Sequence, residues 1–362
     1  MQTKTLGISI YPSQSDFEQD KLYLQKAHKL GYTRIFTSLL EINDDSDVDK
    51  YRQIIEYGNQ LGFKTVIDVN PGLFDKLKID YDDLIFFKNL GVYGLRLDVG
   101  FTGAEEARMT RNQYGLVIEI NMSAGTNYLD NIMSYHPKTD KLWGCHNFYP
   151  QRYTALGEDF FIECSQKYRH FNINTAAFVT SPDAKMGPWP VQEGLPTLEA
   201  DRDLPIATQV RRMLATDLID DILIGNAYAT DEELAAVAEV FFEPHPTIQV
   251  QLVDDVTELE TKIVLEQIHT YRGDSSDYFV RDSFSRVTYK DEPMPAHHND
   301  VTIKRGDIMI LNEAYGQYKN EVQIALVDMP NDGKRNVVGH VVEHELFLLD
   351  QLQRRITFKC VK

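Results

Sequence analysis

The stretch that decides the fold reads YGLRLDVGF at 93–101 and GLVIEINMSAGTN at 115–127. In both runs apolar residues alternate with polar ones, so that polar side chains such as Asp98 and Glu119 lie on one face. A period of two residues predicts β-strands. The helical patterns around these runs favour parallel strands that are covered by helices.

The same alternation of strand and helix extends over residues 1–245. Eight strand-like runs are separated by helical patterns, several of which end at a glycine such as Gly31, Gly62 or Gly91. Eight βα units in this length predict a (β/α)8 or TIM barrel. An open doubly wound sheet is the alternative, but it usually carries a glycine-rich phosphate loop after its first strand, and GISIYPSQS at 7–15 is not such a loop.

The pattern changes at the EPHP segment, 243–246. Beyond it, runs such as KIVLEQIHTYRG, DVTIKRGDIMIL and RITFKCVK are strand-like, with turn signals such as NDG between them. We expect short helices near Thr257 and over 343–349. The sequence therefore predicts an α/β chain with a TIM-barrel domain over 1–245 and a small, mostly β domain over 246–362, which we expect to be a closed barrel.

The composition is that of a globular protein, with 43% hydrophobic and 25% charged residues. The formal net charge is −18 and no lysine and arginine cluster covers a helix face, which argues against nucleic acid and anionic membranes as partners. The three cysteines are far apart, and we expect reduced thiols. Because we find no signal-peptide pattern and no membrane-spanning run, we expect a cytoplasmic protein. A homodimer is left open.

If the eight strands close into a barrel, polar side chains gather at its C-terminal mouth, where such barrels keep their active sites. Buried polar groups without partners cost roughly 1–3 kcal/mol each, so a large polar group at the mouth indicates a function. The candidates are Ser9, Tyr11, Glu41, Asp68, Asn70, Arg96, Asp98, Glu119, Asn121, His146, Asn147, Tyr149, Arg152 and Asn226.

Several carboxylates at one mouth indicate general acid–base chemistry. A glycosidase needs one carboxyl group that stays protonated and one that is ionised, on either side of the scissile bond. Asp68, Asp98 and Glu119 are the candidates, although Asp68 could instead cap the following loop and Arg96 could form a structural ion pair with Asp98. A metal site of Asp68, Glu119 and His146, which would suit a sugar-phosphate isomerase or epimerase, is the alternative.

The second domain concentrates basic side chains within a short part of this acidic chain. Arg272, Arg281, Ser283 and Arg286 lie in the segments HTYRGD and VRDSFSR. Such a group is either a solvated, salt-bridged surface or an anion site, since the arginine guanidinium forms forked hydrogen bonds with carboxylate and phosphate.

Taken together, these segments resemble one family. GISIYPS, RIFTSLLE, VIDVNP, LRLDVGF, EINMS, CHNFYPQRYTAL and ILIGNAYAT, followed by HTYRGD, VRDSFSR and NVVG, are similar to the 6-phospho-N-acetylmuramidases. The resemblance implies a TIM barrel followed by a cyclophilin-like β domain. It also implies hydrolysis of the β-1,4 bond of MurNAc-6-phosphate–GlcNAc, a phosphorylated amino-sugar disaccharide, in cytoplasmic cell-wall recycling.

The resemblance leaves the roles within the mouth open. We expect Glu119 to be the general acid and Asp98 to be its partner, acting as a nucleophile or orienting the 2-acetamido group of the substrate. Asp68 and Glu41 are reserve candidates. We expect no cofactor and no metal ion.

For the 6-phosphate we expect two contributions. The backbone at Gly225 and Asn226, after the last barrel strand, is placed where TIM barrels bind phosphate. Since the chain is acidic, a cationic supplement from Arg152 and from the arginines of the β domain is also expected. A sugar-phosphate-binding regulator without turnover is the non-enzyme alternative.

Overall fold

The computed structural model describes residues 4–40, 45–191 and 193–362. The chain divides into two compact units, Met1–Phe241 and Phe242–Lys362. None of the helices in these described ranges is long and apolar enough to cross a membrane.

The first unit is built on a closed barrel of eight parallel strands, in which each strand pairs with the next and β8 pairs with β1. The predicted TIM barrel is therefore confirmed. The strands are β1 (Thr5–Ser9), β2 (Arg34–Ser38), β3 (Lys64–Val69), β4 (Gly94–Leu97), β5 (Val117–Asn121), β6 (Leu142–Cys145), β7 (Asn174–Val179) and β8 (Asp221–Ile224).

Helices connect these strands, and their ends follow local sequence signals. The Asp16 side chain caps the first helix by accepting from the backbone N–H groups of Glu18 and Gln19. Gly91 ends the fourth helix in the left-handed conformation, at φ 86°. The helices are α1 (Phe17–Lys29), α2 (Asp45–Gln60), α3 (Pro71–Leu77), α4 (Ile85–Leu90), α5 (Ala104–Met109), α6 (Tyr128–Ser134), α7 (Glu158–His170), α8 (Ile206–Ala215) and α9 (Asp231–Phe242), with 3-10 turns at Thr139–Lys141 and Glu199–Asp201.

The two faces of each barrel strand have different environments. Outward-facing residues such as Leu6 and Ile8 pack against the helices in the main apolar core. Inward-facing aromatic residues such as Phe36 and Phe178 fill part of the barrel interior. The remaining inward positions carry polar and charged side chains, and these form the candidate site.

The second unit is a seven-stranded sheet in the order β10-β15-β9-β14-β12-β13-β11. It is nearly closed, because the N–H of Arg272, just after β10, donates to the carbonyl of Arg281 in β11 at 3.0 Å. All neighbours are antiparallel except β15 and β9. The strands are β9 (Thr247–Leu252), β10 (His269–Thr270), β11 (Phe279–Asp282), β12 (Asp307–Leu311), β13 (Val322–Ala325), β14 (Arg335–Val341) and β15 (Thr357–Val361).

Three α-helices accompany this sheet, and one corrects the sequence prediction. The run that begins at Lys262, predicted as a strand, continues a helix that Thr257 and Glu260 start with a capping box. Buried Ile263 and Val264 form the apolar side of this helix. The helices are α10 (Glu258–Leu265), α11 (Phe284–Thr288) and α12 (Leu348–Gln351), with 3-10 turns at Glu313–Tyr318 and Glu343–Glu345.

Candidate active site

A polar cluster lies at the C-terminal ends of β3, β4 and β6. Asp68 and Arg96 are neighbours in the β3–β4 register, and Asp98 follows Arg96 on the same face. Arg96 Nη1 donates to Asp68 Oδ1 at 2.7 Å and to Asp98 Oδ1 at 3.4 Å. Arg96 Nη2 donates to the side-chain oxygen of Asn147. One guanidinium therefore holds two carboxyl groups and an amide at the barrel mouth.

The two carboxyl groups of this cluster differ in their surroundings. The Asp68 side chain is 8% exposed, whereas that of Asp98 is 35% exposed. Burial raises the pKa of Asp68 to about 7, against the opposing effect of Arg96 and with an added contribution from the negative charge of Asp98. Asp98 lies beside the same guanidinium but in partial contact with water. Asp68 can therefore offer a proton donor near neutral pH, beside the more exposed carboxyl group of Asp98.

Glu119 does not lie in this cluster, which corrects our expectation for the general acid. It is fully buried and forms an ion pair with Arg34, the first residue of β2. Arg34 Nη1 also donates to Asp221 Oδ2 at 2.6 Å. Asp221 in turn accepts from Thr5 at 2.6 Å and from Asn174 at 2.8 Å. Glu119, although a neighbour of Arg96 in the β4–β5 register, thus belongs to an ionic layer with Arg34 and Asp221, the first residues of β2 and β8.

Asn121, two residues after Glu119, does reach the mouth. Its Nδ2 donates to the backbone carbonyl of Asp98 at 3.2 Å, and its Oδ1 accepts from the N–H of Ser123 at 2.8 Å. The Ser123 hydroxyl accepts from the N–H of Asn147 at 2.9 Å. Asn121 therefore supports the backbone that carries Asp98 and is linked through Ser123 to Asn147.

His146 faces away from the barrel interior, which corrects its expected place at the mouth. It is buried between β6 and α7, with Nε2 at 2.9 Å from the Ser165 hydroxyl, Nδ1 at 3.0 Å from the Ser123 hydroxyl, and its ring against Phe161. Burial lowers the pKa of His146 to about 3, so the imidazole is neutral. Glu119 is paired with Arg34, and His146 lies outside the barrel lumen. The three side chains of the predicted metal site, Asp68, Glu119 and His146, therefore do not lie together.

The described residues contain no group of three or more His, Cys, Asp and Glu side chains arranged to hold a metal ion. The isomerase or epimerase alternative therefore lacks the donor set on which it depended.

Three candidates near the first and last strands make structural hydrogen bonds. The Ser9 hydroxyl donates to the carbonyl of Ile224 at 2.7 Å, and the Tyr11 hydroxyl donates to that of Gly225. Asn226 binds the loop after β7, accepting from the N–H of Ser181 at 2.8 Å and donating to its carbonyl at 2.8 Å. The N–H of Gly225 donates to a strand carbonyl at 2.9 Å, so it is not available to the expected backbone phosphate site.

The other barrel candidates lie around the rim. Asn70 caps α3, with its Oδ1 accepting from the N–H of Leu73 at 2.9 Å. Tyr149 is half-buried against the main apolar core. Arg152 forms a bidentate ion pair with Asp203, in which Nη1 and Nη2 donate to the two carboxylate oxygens at 2.6 and 2.9 Å. Glu41 lies outside the described residues.

An aromatic wall, which is not among the residues predicted from the sequence, lies beside the polar cluster. Phe36, Phe148 and Phe178 contact one another edge to face, with ring centroids 5.0–5.8 Å apart. Phe148 directly follows Asn147 and is only partly buried. Its position in the HNFYP segment was the available signal, because that segment is dense in aromatic and hydrogen-bonding groups.

In the second unit, the predicted phosphate residues do converge, but on a buried carboxylate. Arg281 Nε donates to Glu321 Oε1 at 2.8 Å, and the Ser283 hydroxyl donates to Glu321 Oε2 at 3.0 Å. Arg286 Nη1 lies 3.8 Å from the same oxygen, and Arg272 Nη1 donates to Ser283 at 2.9 Å. Glu321, which no sequence pattern indicated, already provides an internal anion for this group.

Comparisons with known proteins assign both units of the chain to the same family. The N-terminal model of the 6-phospho-N-acetylmuramidase family matches residues 6–239, and its C-terminal model matches residues 246–361. A solved structure of an uncharacterized B. cereus protein is 42% identical over 100% of both chains, with a TM-score of 0.93.

A conserved Enterococcus faecalis protein with an unknown function is 22% identical over 99% of this chain and 96% of that chain, with a TM-score of 0.75, and supports the fold alone. A search of curated proteins finds no match. The two family matches cover nearly the whole sequence, and the chain belongs to the 6-phospho-N-acetylmuramidase family, a family of glycosidases.

Proposed function

We propose that this protein hydrolyses the β-1,4 bond of MurNAc-6-phosphate–GlcNAc, with Asp68 and Asp98 as the paired carboxyl groups. Family membership supports the glycosidase class, and the resemblance of the motifs suggests this substrate and a role in cytoplasmic peptidoglycan recycling. The observation that carries the assignment of the pair is the shared contact of Arg96 Nη1 with both carboxyl groups, one buried and one partly exposed.

In this proposal, Asp68 donates a proton to the leaving GlcNAc oxygen. Its raised pKa keeps a large fraction of Asp68 protonated near neutral pH, which a general acid requires. Asp98 acts on the other side of the bond, either as the nucleophile or by orienting the 2-acetamido group. Arg96 positions both groups and stabilises the charge on Asp98.

The geometry of the pair favours retention of configuration. Oδ1 of Asp68 and Oδ1 of Asp98 contact the same nitrogen, at 2.7 and 3.4 Å, so these two oxygens lie no further apart than the two distances added together. This close placement is nearer to the roughly 5–5.5 Å between the carboxyl groups of retaining glycosidases than to the roughly 6.5–9.5 Å of inverting ones. Attack by Asp98 or by the acetamido oxygen would both give a retained product.

The wall of Phe148 next to Asn147 completes the proposed site. An apolar ring beside a few convergent polar groups is the usual composition of a small-molecule pocket. We expect the face of the sugar ring to lie on Phe148 while the hydroxyl and acetamido groups meet Asn147 and Arg96.

Incubating the purified protein with MurNAc-6-phosphate–GlcNAc and following the reaction by NMR tests the proposal. We expect free GlcNAc and, at early times, the β-anomer of MurNAc-6-phosphate. The Asp68→Asn variant is the control for contaminating hydrolases. Binding of the disaccharide without any release of GlcNAc would instead support the sugar-phosphate-binding alternative.

A further inference from the structure

The second unit contains a cleft that the proposed barrel chemistry does not use. It has a volume of about 290 Å³ and lies between β11, β13, β14 and the 3-10 segment Glu313–Tyr318. Its lining includes the carboxylate of Glu321 together with the side chains of Phe279, Arg281, Tyr315, Tyr318, Gln323 and Arg335.

Arg281, at the cleft, does not use all of its hydrogen-bond donors on described residues. Arg281 uses Nε and Nη2 on Glu321, at 2.8 and 3.3 Å, while its Nη1 has no acceptor among the described residues. Behind it, the Arg286 guanidinium stacks over the Tyr318 ring at 4.9 Å and makes no hydrogen bond to a described residue. Both arginines are about one-quarter exposed, so a ligand can reach them.

The Glu321 carboxylate holds the Arg281 guanidinium in place. Its carboxylate is fully buried and also accepts from the Ser283 hydroxyl at 3.0 Å and from Gln323 Nε2 at 3.0 Å. The carboxylate therefore orients Arg281 towards the cleft, as a buried partner commonly orients a ligand-binding side chain.

The local charge is positive in a strongly acidic chain. Arg281 and Arg335 line the cleft, and two further arginines lie behind them. Among the described residues, three carboxylates pair with these four arginines. The arginines are Arg272, Arg281, Arg286 and Arg335, and the carboxylates are Asp274, Glu321 and Asp332. Since the formal net charge of the whole chain is −18, this local excess of positive charge attracts an anion to the cleft and is not a general property of the surface.

Aromatic rings form the other side of the cleft. Arg335 lies 5.1 Å from the Phe279 ring centroid and 5.0 Å from that of Tyr315, and Nε of Arg335 donates to Gln323 at 3.1 Å. Apolar rings with a few convergent polar groups are typical of small-molecule sites, whose volumes begin at roughly 300 Å³. The cleft therefore lies at the small end of the range of ligand sites.

We propose that this cleft is a second ligand site, which binds an acidic monosaccharide through its phosphate or carboxylate group. The acidic group contacts Arg281 and Arg335, and the sugar ring lies against Tyr315 and Tyr318. Recognition of an anion follows from the cleft itself, whereas the choice of an amino sugar as its carrier rests on the proposed function.

Calorimetric titrations of the full, unmutated chain test this site, since none of the probes contains a glycosidic bond that the proposed activity could hydrolyse. The probes are GlcNAc-6-phosphate, N-acetylmuramic acid and neutral GlcNAc. We expect at least one acidic sugar to bind tenfold or more tightly than GlcNAc, and the stronger of the two identifies the group that the cleft recognises. Equal affinity for all three probes, or no binding of either acid, would overturn the proposal.

Cleft variants locate the binding. Arg281→Gln and Arg335→Gln should each weaken the acidic sugar tenfold or more, while Arg305→Gln should not. Arg305 is a matched control, because it lies in the same unit and pairs with Asp350 at 2.9 Å outside the cleft. Unchanged affinity in both cleft variants would place all sugar binding elsewhere and overturn the proposal.

Hydrogen exchange on the unmutated protein provides a test that does not depend on how the variants fold. GlcNAc-6-phosphate or N-acetylmuramic acid, whichever binds, should slow exchange in the segment 313–323. No change there would contradict the site. Failure of the proposed function has a different signature, namely absent hydrolysis in the unmutated protein with the exchange effect preserved.

Discussion

At the scale of single residues, Asp68 and Asp98 carry the same functional group in different environments. Arg96 contacts both, but only Asp68 is removed from water. Desolvation penalises the ionised form, so the buried member keeps its proton to higher pH. A buried carboxyl group that keeps its proton is what the general acid of a glycoside hydrolase requires.

The pH dependence of activity follows from Asp68. Because a general acid must be protonated and burial raises the pKa of Asp68 to about 7, kcat/KM should fall as the pH rises through about 7. The pH profile of disaccharide hydrolysis by the unmutated protein measures this fall in kcat/KM at alkaline pH. Activity that stays constant up to pH 9 would contradict the assignment of Asp68 as the acid.

Sequence alone could predict which residues share a strand face, but not how deep each one lies. Glu119 and Asn121 have the same orientation on β5, yet only Asn121 reaches the mouth. The depth of a residue depends on the stagger between neighbouring strands, which is a property of the closed barrel. His146 lies outside the lumen because the two-residue period continues past the end of β6, so that Cys145 and Asn147 face inward and His146 faces α7.

At the scale of the elements, the layer of Arg34, Glu119 and Asp221 ties together β2, β5 and β8 inside the barrel. Removing one partner of such a buried ionic group leaves a desolvated charge with too few partners. The layer is therefore expected to matter for the stability of the barrel more than for chemistry at the mouth.

Substituting Glu119→Gln tests this structural role. We expect a loss of roughly 3–5 kcal/mol in the free energy of unfolding, because Arg34 loses one of its two buried carboxylates. Urea denaturation measures this loss of stability if unfolding is monitored by a spectroscopic signal that arises from the barrel.

Asp217→Asn is a matched control for this measurement. It changes a carboxylate to an amide in the exposed ion pair with Lys4, at 3.2 Å, and should cost no more than about 1 kcal/mol. If Glu119→Gln is as stable as this control, the ionic layer does not have the proposed structural role.

In the second unit, His269 joins β10 to β11 as a buried cation. Its Nδ1 lies 3.0 Å from Asp282 Oδ2, and its Nε2 lies 2.9 Å from the carbonyl of Val264. Since both neighbours are acceptors, both ring nitrogens must carry a proton. Burial by itself lowers the pKa of His269, but the hydrogen bond to Asp282 and further contacts raise it to about 10.

The stability of this unit should therefore depend on pH in a defined direction. The folded pKa of about 10 exceeds the ordinary value of 6.5, so the stabilisation is complete below about pH 6.5 and is lost as the pH rises through 10. Hydrogen exchange of the β15 amides, which report on this unit alone, should accelerate over that range.

His269→Gln removes the titrating group and should abolish this pH dependence after correction for the intrinsic exchange rate. An unchanged pH dependence in the variant would show that another group is responsible.

At the scale of the whole molecule, the sequence predicted both folds because their signals are local and repeated. Eight strand patterns with intervening helices were sufficient for the barrel, and turn signals between short strands were sufficient for the second sheet. Glu321 was missed because its importance comes from contacts with Arg281, Ser283 and Arg286, which are distant in sequence. Long-range pairing of this kind has no local pattern.

The central claim, that Asp68 is the acid and Asp98 its partner, is tested most directly by changing the leaving group. The rates of Asp68→Asn, Asp98→Asn and Glu119→Gln should be measured on the natural disaccharide and on an aryl glycoside of MurNAc-6-phosphate with a nitrophenol leaving group. Asp68→Asn should lose about 10²–10⁴-fold in rate on the disaccharide and recover much of it on the aryl glycoside, because a nitrophenol leaving group needs little protonation.

Asp98→Asn should be impaired on both substrates, because its work lies at the sugar carbon and not at the leaving oxygen. Glu119→Gln should show no selective rescue by the nitrophenol group. An Asp68→Asn variant that hydrolyses the disaccharide within a few-fold of the rate of the unmutated protein would show that Asp68 is not the acid. Selective rescue of Glu119→Gln by the nitrophenol group would assign that role to Glu119 instead.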